Sequence, residues 1–390
     1  MTNIAAGRFS IHALMLLIGL FWSLPAVCAQ NPPFVWAFSA GGDSLGIGYG
    51  VAVDRLGNSH VVGGFTSSQA AFGSVVLTNA GSVGIFIAKY DGAGSFLWAR
   101  QAGGSASDEA RAIAVDASGN SYVTGLFTSP SATFGGITLT NHGSFDVFVA
   151  KYDNTGNVLW AKGVGDSDND EGLAIAVDKA GNSYVTGVFA GSPGGGIWDM
   201  FIAKYDSAGT LLWFKRAGGA GDDRGNGIAL DGNGNIYVVG AFASPTLTFE
   251  STTLTNAGSF SAYLAKYDSA GNFLWVRQTQ GSGNDGASGV GVDATGNVYM
   301  TGGFSSSSIS FGGITITNSG PSEHDIFVAK YDPDGNILWA KQAGGAEGFD
   351  YGSSIAVTET GSSYVSGFFG SDNAYFNGDI EMDPKIKTSS

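Results

Sequence analysis

Cysteine is almost absent from this chain: Cys28 is the only one, close to the N-terminus. Small residues in "AVCAQ" place a leader-cleavage site after Ala29, behind Arg8 and the apolar stretch "ALMLLIGLFWSL" (Ala13–Leu24). Val27 is bulkier than lipoprotein processing accepts before Cys28, so acylation is the lesser expectation. The mature chain expected from that cleavage has no thiol and is held by core packing without disulfides. Histidine is scarce as well. After the leader there are His60, His142 and His324, in unrelated places and without H-x-x-x-H or H-E-x-x-H spacing, which argues against zinc. Charged residues make up 13% and the net charge is −15, so nucleic acid and anionic membranes are unsuitable partners. The leader's apolar stretch is too short for a comfortable membrane span, and no later segment is long and apolar enough.

What is abundant is glycine, with 63 residues, alongside 12% aromatic and 43% hydrophobic residues. That much apolar side chain argues against disorder and for many short strands joined by Gly-rich turns. Two phrases alternate down the chain. "AVDASGNSYVTGLF" (Ala114–Phe127) is echoed from Ala52, Ala176, Ala229 and Gly291, and more loosely from Ala356. "KYDSAGNFLW" (Lys266–Trp275) is echoed from Lys89, Lys151, Lys204 and Lys330. The spacing of Asp54, Asp116, Asp178, Asp231 and Asp293, with Thr358 in the sixth place, points to a propeller or array.

Each phrase reads as a hairpin around D-x-x-G-N, its glycine supplying positive φ and its aspartate accepting backbone N–H groups. Two hairpins give four strands, one propeller blade. Trp98, Trp160, Trp213, Trp275 and Trp339 share one place on the fourth strand, where an indole fills the wedge between neighbouring repeats; an aromatic ligand cage is the alternative. Two residues on, Arg100, Lys162, Lys215, Arg277 and Lys341 are basic, a packing or pairing feature.

The expected fold is an all-β propeller of about six four-stranded blades. After the 1–29 leader, the units run about 43–104, 105–166, 167–219, 220–281, 282–345 and 346–390. "FVWAF" (Phe34–Phe38), within 31–42, matches a fourth strand and completes the last blade. The last unit lacks a "FVAKYD", so either "YFNGDIEM" (Tyr375–Met382) substitutes as a strand or the chain is cut short and closes by pairing with another chain. The third unit also lacks the "FGG…LTN" segment.

"GNSYVTG", "FGGITLTN", "FVAKYD" and "LWAKQAGG" closely resemble the bacterial β-propeller repeat family known as SBBP repeats, from about Phe34 to Phe369. The resemblance implies an exported, often surface-associated protein with no assigned activity, and seven units where this chain has about six.

Two sets of acidic residues are candidate sites. "DSDNDEG" (Asp166–Gly172) puts Asp166, Asp168 and Asp170 at alternate positions, as calcium prefers, although Val177 stands where an EF-hand needs glutamate. A solvated acidic loop is the alternative. Asp108, Asp170, Asp223, Asp285 and Asp350 recur in the loops between units, with Gly46 in the first. They share a face with the long loops between second and third strands, such as Thr128–Asp146, where binding is expected; capping of its own loop is the alternative for each. The leading expectation is a non-enzymatic exported scaffold in the cell envelope or outside, binding a protein or glycan, with no cofactor unless calcium. The rival is a propeller hydrolase or lyase with acidic residues at the mouth, which an off-pattern His or Arg beside an Asp would favour; Arg111 and Arg224 are the positions to inspect.

Overall fold

The computed structural model describes residues 18–19, 41–191, 196, 198–320, 323–371 and 375–376. Among them are strands and turns but no helix. Phe34–Phe38, expected to complete the last repeat, lies outside the described residues.

Five of the sequence repeats each fold into four antiparallel strands whose order in space follows the chain. The second is typical: Asp108–Val115, Ser121–Phe127, Asp146–Tyr152 and Val158–Val164. The others span 46–103, 170–217, 223–278 and 285–344. In the sixth repeat, Asp350–Val357 pairs with Ser363–Phe369, and the backbone of Ile18–Gly19, inside the expected leader, pairs with the latter. The chain divides into two compact units at Ser167/Asp168, the first holding two repeats and the second four.

The repeated turn forms as its residues require. Asp116 Oδ1 accepts the Ser118 and Asn120 N–H groups at 2.9 and 3.0 Å, and Gly119 takes φ +78°. In the sixth copy the Thr358 hydroxyl does the same work, accepting the Ser362 N–H at 3.0 Å.

The two middle strands of each full repeat are nearly continuous runs of buried residues, because both of their faces are covered. The fourth repeat shows this directly. Ile236 and Val238 enter one core cluster with Met200 and Ile202 of the third repeat, whereas Tyr237 and Val239 enter another with Met300 and Phe327 of the fifth. A strand's period of two thus feeds two separate cores.

Between repeats of one unit the tryptophans work as expected from their placement. Trp98 is buried, its ring edge-on to His60, and its Nε1–H donates to the Asn154 carbonyl of the next repeat at 3.1 Å. Trp275 reaches the Pro333 carbonyl at 3.3 Å. The basic residues two places on grip the same turns: Arg100 donates to Thr155 O at 3.0 Å, and Arg277 to Gly335 O at 2.7 Å.

Two expectations are corrected. The long segments between second and third strands are two-stranded hairpins in place of irregular loops: Ser131–Phe134 with Ile137–Thr140, and Thr246–Phe249 with Thr252–Thr255. Their alternation buries Ala132 and Phe134, or Leu247 and Phe249, and leaves polar residues outside. The first of these hairpins extends the sheet of the preceding repeat, placing Phe134 opposite Ala102. Tyr375–Phe376 does likewise, pairing with Ala343 and Gly344 of the fifth repeat and not with the sixth. At the other end Gly41 bridges Ala71, in the register that Gly103 makes with Thr133.

Candidate functional site

The aspartate that opens the first strand of every repeat but the first is buried. Asp108 accepts four hydrogen bonds: from the Gly104 N–H (2.6 Å), the Thr128 and Ser129 N–H groups (3.0 and 3.1 Å) and the Ser129 hydroxyl (2.7 Å). Asp223 repeats the pattern with Gly219 and Ser244, Asp285 with Ser306, and Asp350 with Gly345, Gly370 and Ser371. Asp170 accepts the Ala190 N–H at 2.8 Å. Asp108, Asp223 and Asp350 thus clasp the loop entering their repeat to the end of the second strand, about twenty residues downstream. The side chains expected to present a ligand-binding face are turned inward, and capping is what the geometry supports.

A second aspartate opens the third strand in three repeats: Asp146, Asp199 and Asp325. All are buried, and in each Oδ1 has no hydrogen-bond partner among the described residues. Asp199 lies near Asp223 of the following repeat. Burial, opposed by the Ser244 and Gly219 hydrogen bonds and helped by Asp199, pushes Asp223 up to about 6. Because the folded state holds this proton more tightly than the unfolded chain, its contribution is complete below the ordinary carboxylate value and is lost as pH rises through 6. Urea unfolding midpoints are therefore expected to fall between pH 4 and 7, with Asp223→Asn removing part of that slope; an unaltered slope in the variant would assign the titration elsewhere.

The first strands are irregular at one place. In every repeat the pairing slips beside the fourth residue: at 48/50, 110/112, 172/174, 225/227, 287/289 and 352/354. The slip is a β-bulge, which leaves a residue unpaired and re-aims its side chain. The skipped residues are Tyr49, Arg111, Leu173, Asn226, Ser288 and Ser353. Their neighbours are only Gly, Ala or Ser, since within each unit the first strands of adjacent repeats meet backbone to backbone. A Cβ on Gly227 would lie 2.7 Å from the Ser288 carbonyl oxygen.

In the first unit, Arg111 stacks 4.7 Å over Tyr49 and pairs with Glu109 at 2.9 Å. In the second, Asn226 donates to Ala287 O at 2.9 Å, Ser288 to the Tyr351 hydroxyl at 2.8 Å, and Arg224 lies 4.7 Å over Trp198. Phe349 stacks on Tyr351 at 5.8 Å, meets His324 at a tilt at 4.5 Å, and is 43% exposed. His324 is off the repeat pattern and senses Asp285: burial lowers its pKa and the Asp285 charge opposes this. Sequence inspection had singled out Arg111 and Arg224, but it missed the bulge, whose only signal is the changing residue between small ones.

Asp54, His60 and Ser121 do come together: His60 Nδ1 is 2.8 Å from Ser121 Oγ and Nε2 is 3.3 Å from Asp54 Oδ2. All three are buried, so the hydroxyl meets no substrate. His60 stands where other repeats have a tyrosine bonded to the turn aspartate, as Tyr122 is to Asp116 at 3.2 Å. Burial pushes Asp54 up, yet bonds from Asn58, Lys89 and His60 outweigh it and hold the carboxyl well below its usual range. Gly42–Gly46 reads G-D-S-L-G, the spacing of a nucleophile elbow, but no helix follows, and Ser44 Oγ accepts from Thr66 Oγ1 at 2.9 Å.

Asp166 and Asp168 are exposed while Asp170 is buried at its own clasp, and they fall on either side of the Ser167/Asp168 division. Among the described residues no group of three or more His, Cys, Asp or Glu side chains is placed to hold a metal ion. Among the described residues no helix is long and apolar enough to cross a membrane.

The profile of the beta-propeller repeat SBBP matches residues 97–126 and 212–241. Both stretches contain the wedge tryptophan, the basic residue, the clasping aspartate and the D-x-x-G-N turn described above. Among curated proteins, the chain is 29% identical over 232 residues to the uncharacterized WD repeat-containing protein L264 of Acanthamoeba polyphaga mimivirus, covering 48% of this chain and 17% of that protein. It is 29% identical over 169 residues to the regulatory protein FlaEY of Caulobacter vibrioides, covering 39% and 18%. It thus spans less than a fifth of either relative. Among solved structures, the Neurospora crassa Pan2 WD40 domain aligns at 12% identity and TM-score 0.38, covering 83% of this chain and 89% of that one. The Xanthomonas campestris gluconolactonase XC5397 aligns at 13% and 0.34, covering 73% and 82%. Scores this low carry no argument. The matched repeats and the strand modules built on them make this chain a beta-propeller repeat protein of the SBBP type.

Proposed function

We propose that this protein is an exported, non-catalytic scaffold of the cell envelope or extracellular space, with six four-stranded repeats, Phe34–Phe38 completing the last. It binds a partner protein through the bulged first strands of its second unit. The observation that carries this reading is the bulge. A repeat that keeps its turn, clasp and tryptophan nearly constant varies the one residue its sheet does not pair: Tyr49, Arg111, Leu173, Asn226, Ser288 and Ser353. Residues that change on a constant scaffold are where recognition is free to specialise. In the second unit the same strand ends carry Arg224 and Tyr351, suited to an acidic partner surface with an apolar face.

The test compares wild type with Arg224→Ala/Tyr351→Ala in pull-downs from culture supernatant and envelope extract, and on a glycan array. A partner retained by wild type and lost by an equally stable double variant supports the reading. A partner that binds both equally places recognition elsewhere, and glycan binding alone replaces the protein by a carbohydrate. The hydrolase or lyase reading is favoured by one observation, the position of His324 beside Asp285. Substrate turnover abolished by His324→Ala would establish it.

A further inference from the structure

Where the fifth repeat passes into the sixth, two buried carboxylates face the same stretch of backbone. Asp325 opens the third strand of one repeat and Asp350 the first strand of the next. A Cβ on Gly344 would lie 3.0 Å from Asp350 Oδ2 and nearer still to Asp325 Oδ1, so both oxygens reach one side of this glycine. Any other residue would fill the space between them.

The hydrogen bonding of the two groups is unequal. Asp350 accepts the Gly370 and Ser371 N–H groups on Oδ1, and the Gly345 N–H and Ser371 hydroxyl on Oδ2. Asp325 Oδ2 accepts the Ser319 N–H and the Gln342 side-chain N–H, both at 2.6 Å. Its Oδ1 is fully buried and has no partner among the described residues. The related Asp199 has the Arg216 guanidinium 3.3 Å from its Oδ2. At Asp325 the neutral Gln342 stands where Asp199 has that arginine, both on the fourth strand opposite the third. Two buried carboxyl groups therefore share a site, with Asp325 Oδ1 unsatisfied and no cationic side chain bonded to either among the described residues.

We propose that Asp325 and Asp350 form a cation site at this junction, taking calcium. Asp325 Oδ1 and Asp350 Oδ2 supply two anionic oxygens, and the cation relieves their mutual repulsion. A hard cation suits carboxylate and backbone oxygens, and calcium tolerates an irregular ligand set, whereas magnesium demands a strict octahedron. A proton on Asp325 Oδ1 is the competing remedy, but its natural acceptor, Asp350 Oδ2, already takes two donors. The site is distinct from Asp166, Asp168 and Asp170.

The experiment uses the full chain, stripped with EDTA and titrated with calcium chloride to millimolar concentration. Thermal melting and calorimetric binding are followed for wild type, Asp325→Asn, Asp350→Asn and Asp168→Asn. A wild-type melting rise of roughly 5 °C or more at a hundredfold excess over Kd is expected. It should persist in Asp168→Asn, disappear in Asp325→Asn, and be much smaller with magnesium. Asparagine is isosteric, and calorimetric heat on wild type reads binding even if Asp350→Asn proves unstable. Absence of a calcium shift and of binding heat in wild type overturns the proposal, and a fall in stability between pH 4 and 7 that is kept in Asp223→Asn but lost in Asp325→Asn would then assign the pair a shared proton. A shift lost in Asp168→Asn but kept in Asp325→Asn also overturns it.

Discussion

Asp108→Ala is expected to lower stability by about 5 kcal/mol, since a buried donor left without its acceptor costs about 1–3 kcal/mol and four such donors surround this carboxylate. The figure falls short of the sum because a cavity of that polarity admits water to some donors. Asp108→Asn should be intermediate: its amide oxygen still accepts, but its NH₂ faces donors. The measurement is the urea unfolding free energy of each variant. A loss under about 1 kcal/mol for alanine would mean that the donors find water easily and that the clasp does not hold the loops. The result also bears on the role first expected for these aspartates, since a carboxylate kept for a ligand would be removed with little loss of stability.

Trp98→Ala should cost about 3–5 kcal/mol, the range for truncating a large buried aromatic side chain. The indole is 7% exposed, meets His60 edge-on, and its Nε1–H bond to Asn154 ties two repeats of the first unit together. Phenylalanine should recover most of the packing but not the hydrogen bond, leaving a deficit of about 1 kcal/mol. Trp213 is a milder case. It is only half-buried and its Nε1 has no partner among the described residues, so Trp213→Ala is expected to cost less than Trp98→Ala. Chemical denaturation of the two variants side by side checks the order. The reverse order would make the carbonyl contact irrelevant to the wedge.

The hairpins were legible in the sequence because their causes are local. D-x-x-G-N places the acceptor, the positive-φ glycine and the paired strands within a few residues, and the bonds of Asp116 to Ser118 and Asn120 span two and four positions. Tryptophan packing was legible too, since its repetition at one strand position implied a recurrent neighbour. Less visible was the fate of "FGGITLTN". Its alternation of Phe and Leu with Thr is a strand signal, but the expectation of a binding loop outweighed it, and the hairpin's edge pairing with Ala102 is non-local.

Chain composition, repeat spacing and turn chemistry by themselves determined that this protein is built from strand hairpins of the propeller-repeat type, because period-two burial and turn geometry act between near neighbours. Only the tertiary structure decided what the recurring polar residues do. Asp108 is a clasp because Ser129, twenty-one positions away, folds back upon it. His60 is a buried stand-in for tyrosine because Ser121 of the next repeat encloses it. Asp325 and Asp350 share a neighbour because the two strands they open begin beside one glycine. Burial and charge pairing depend on which distant atoms become neighbours, and identical phrases acquire different roles where those neighbours differ.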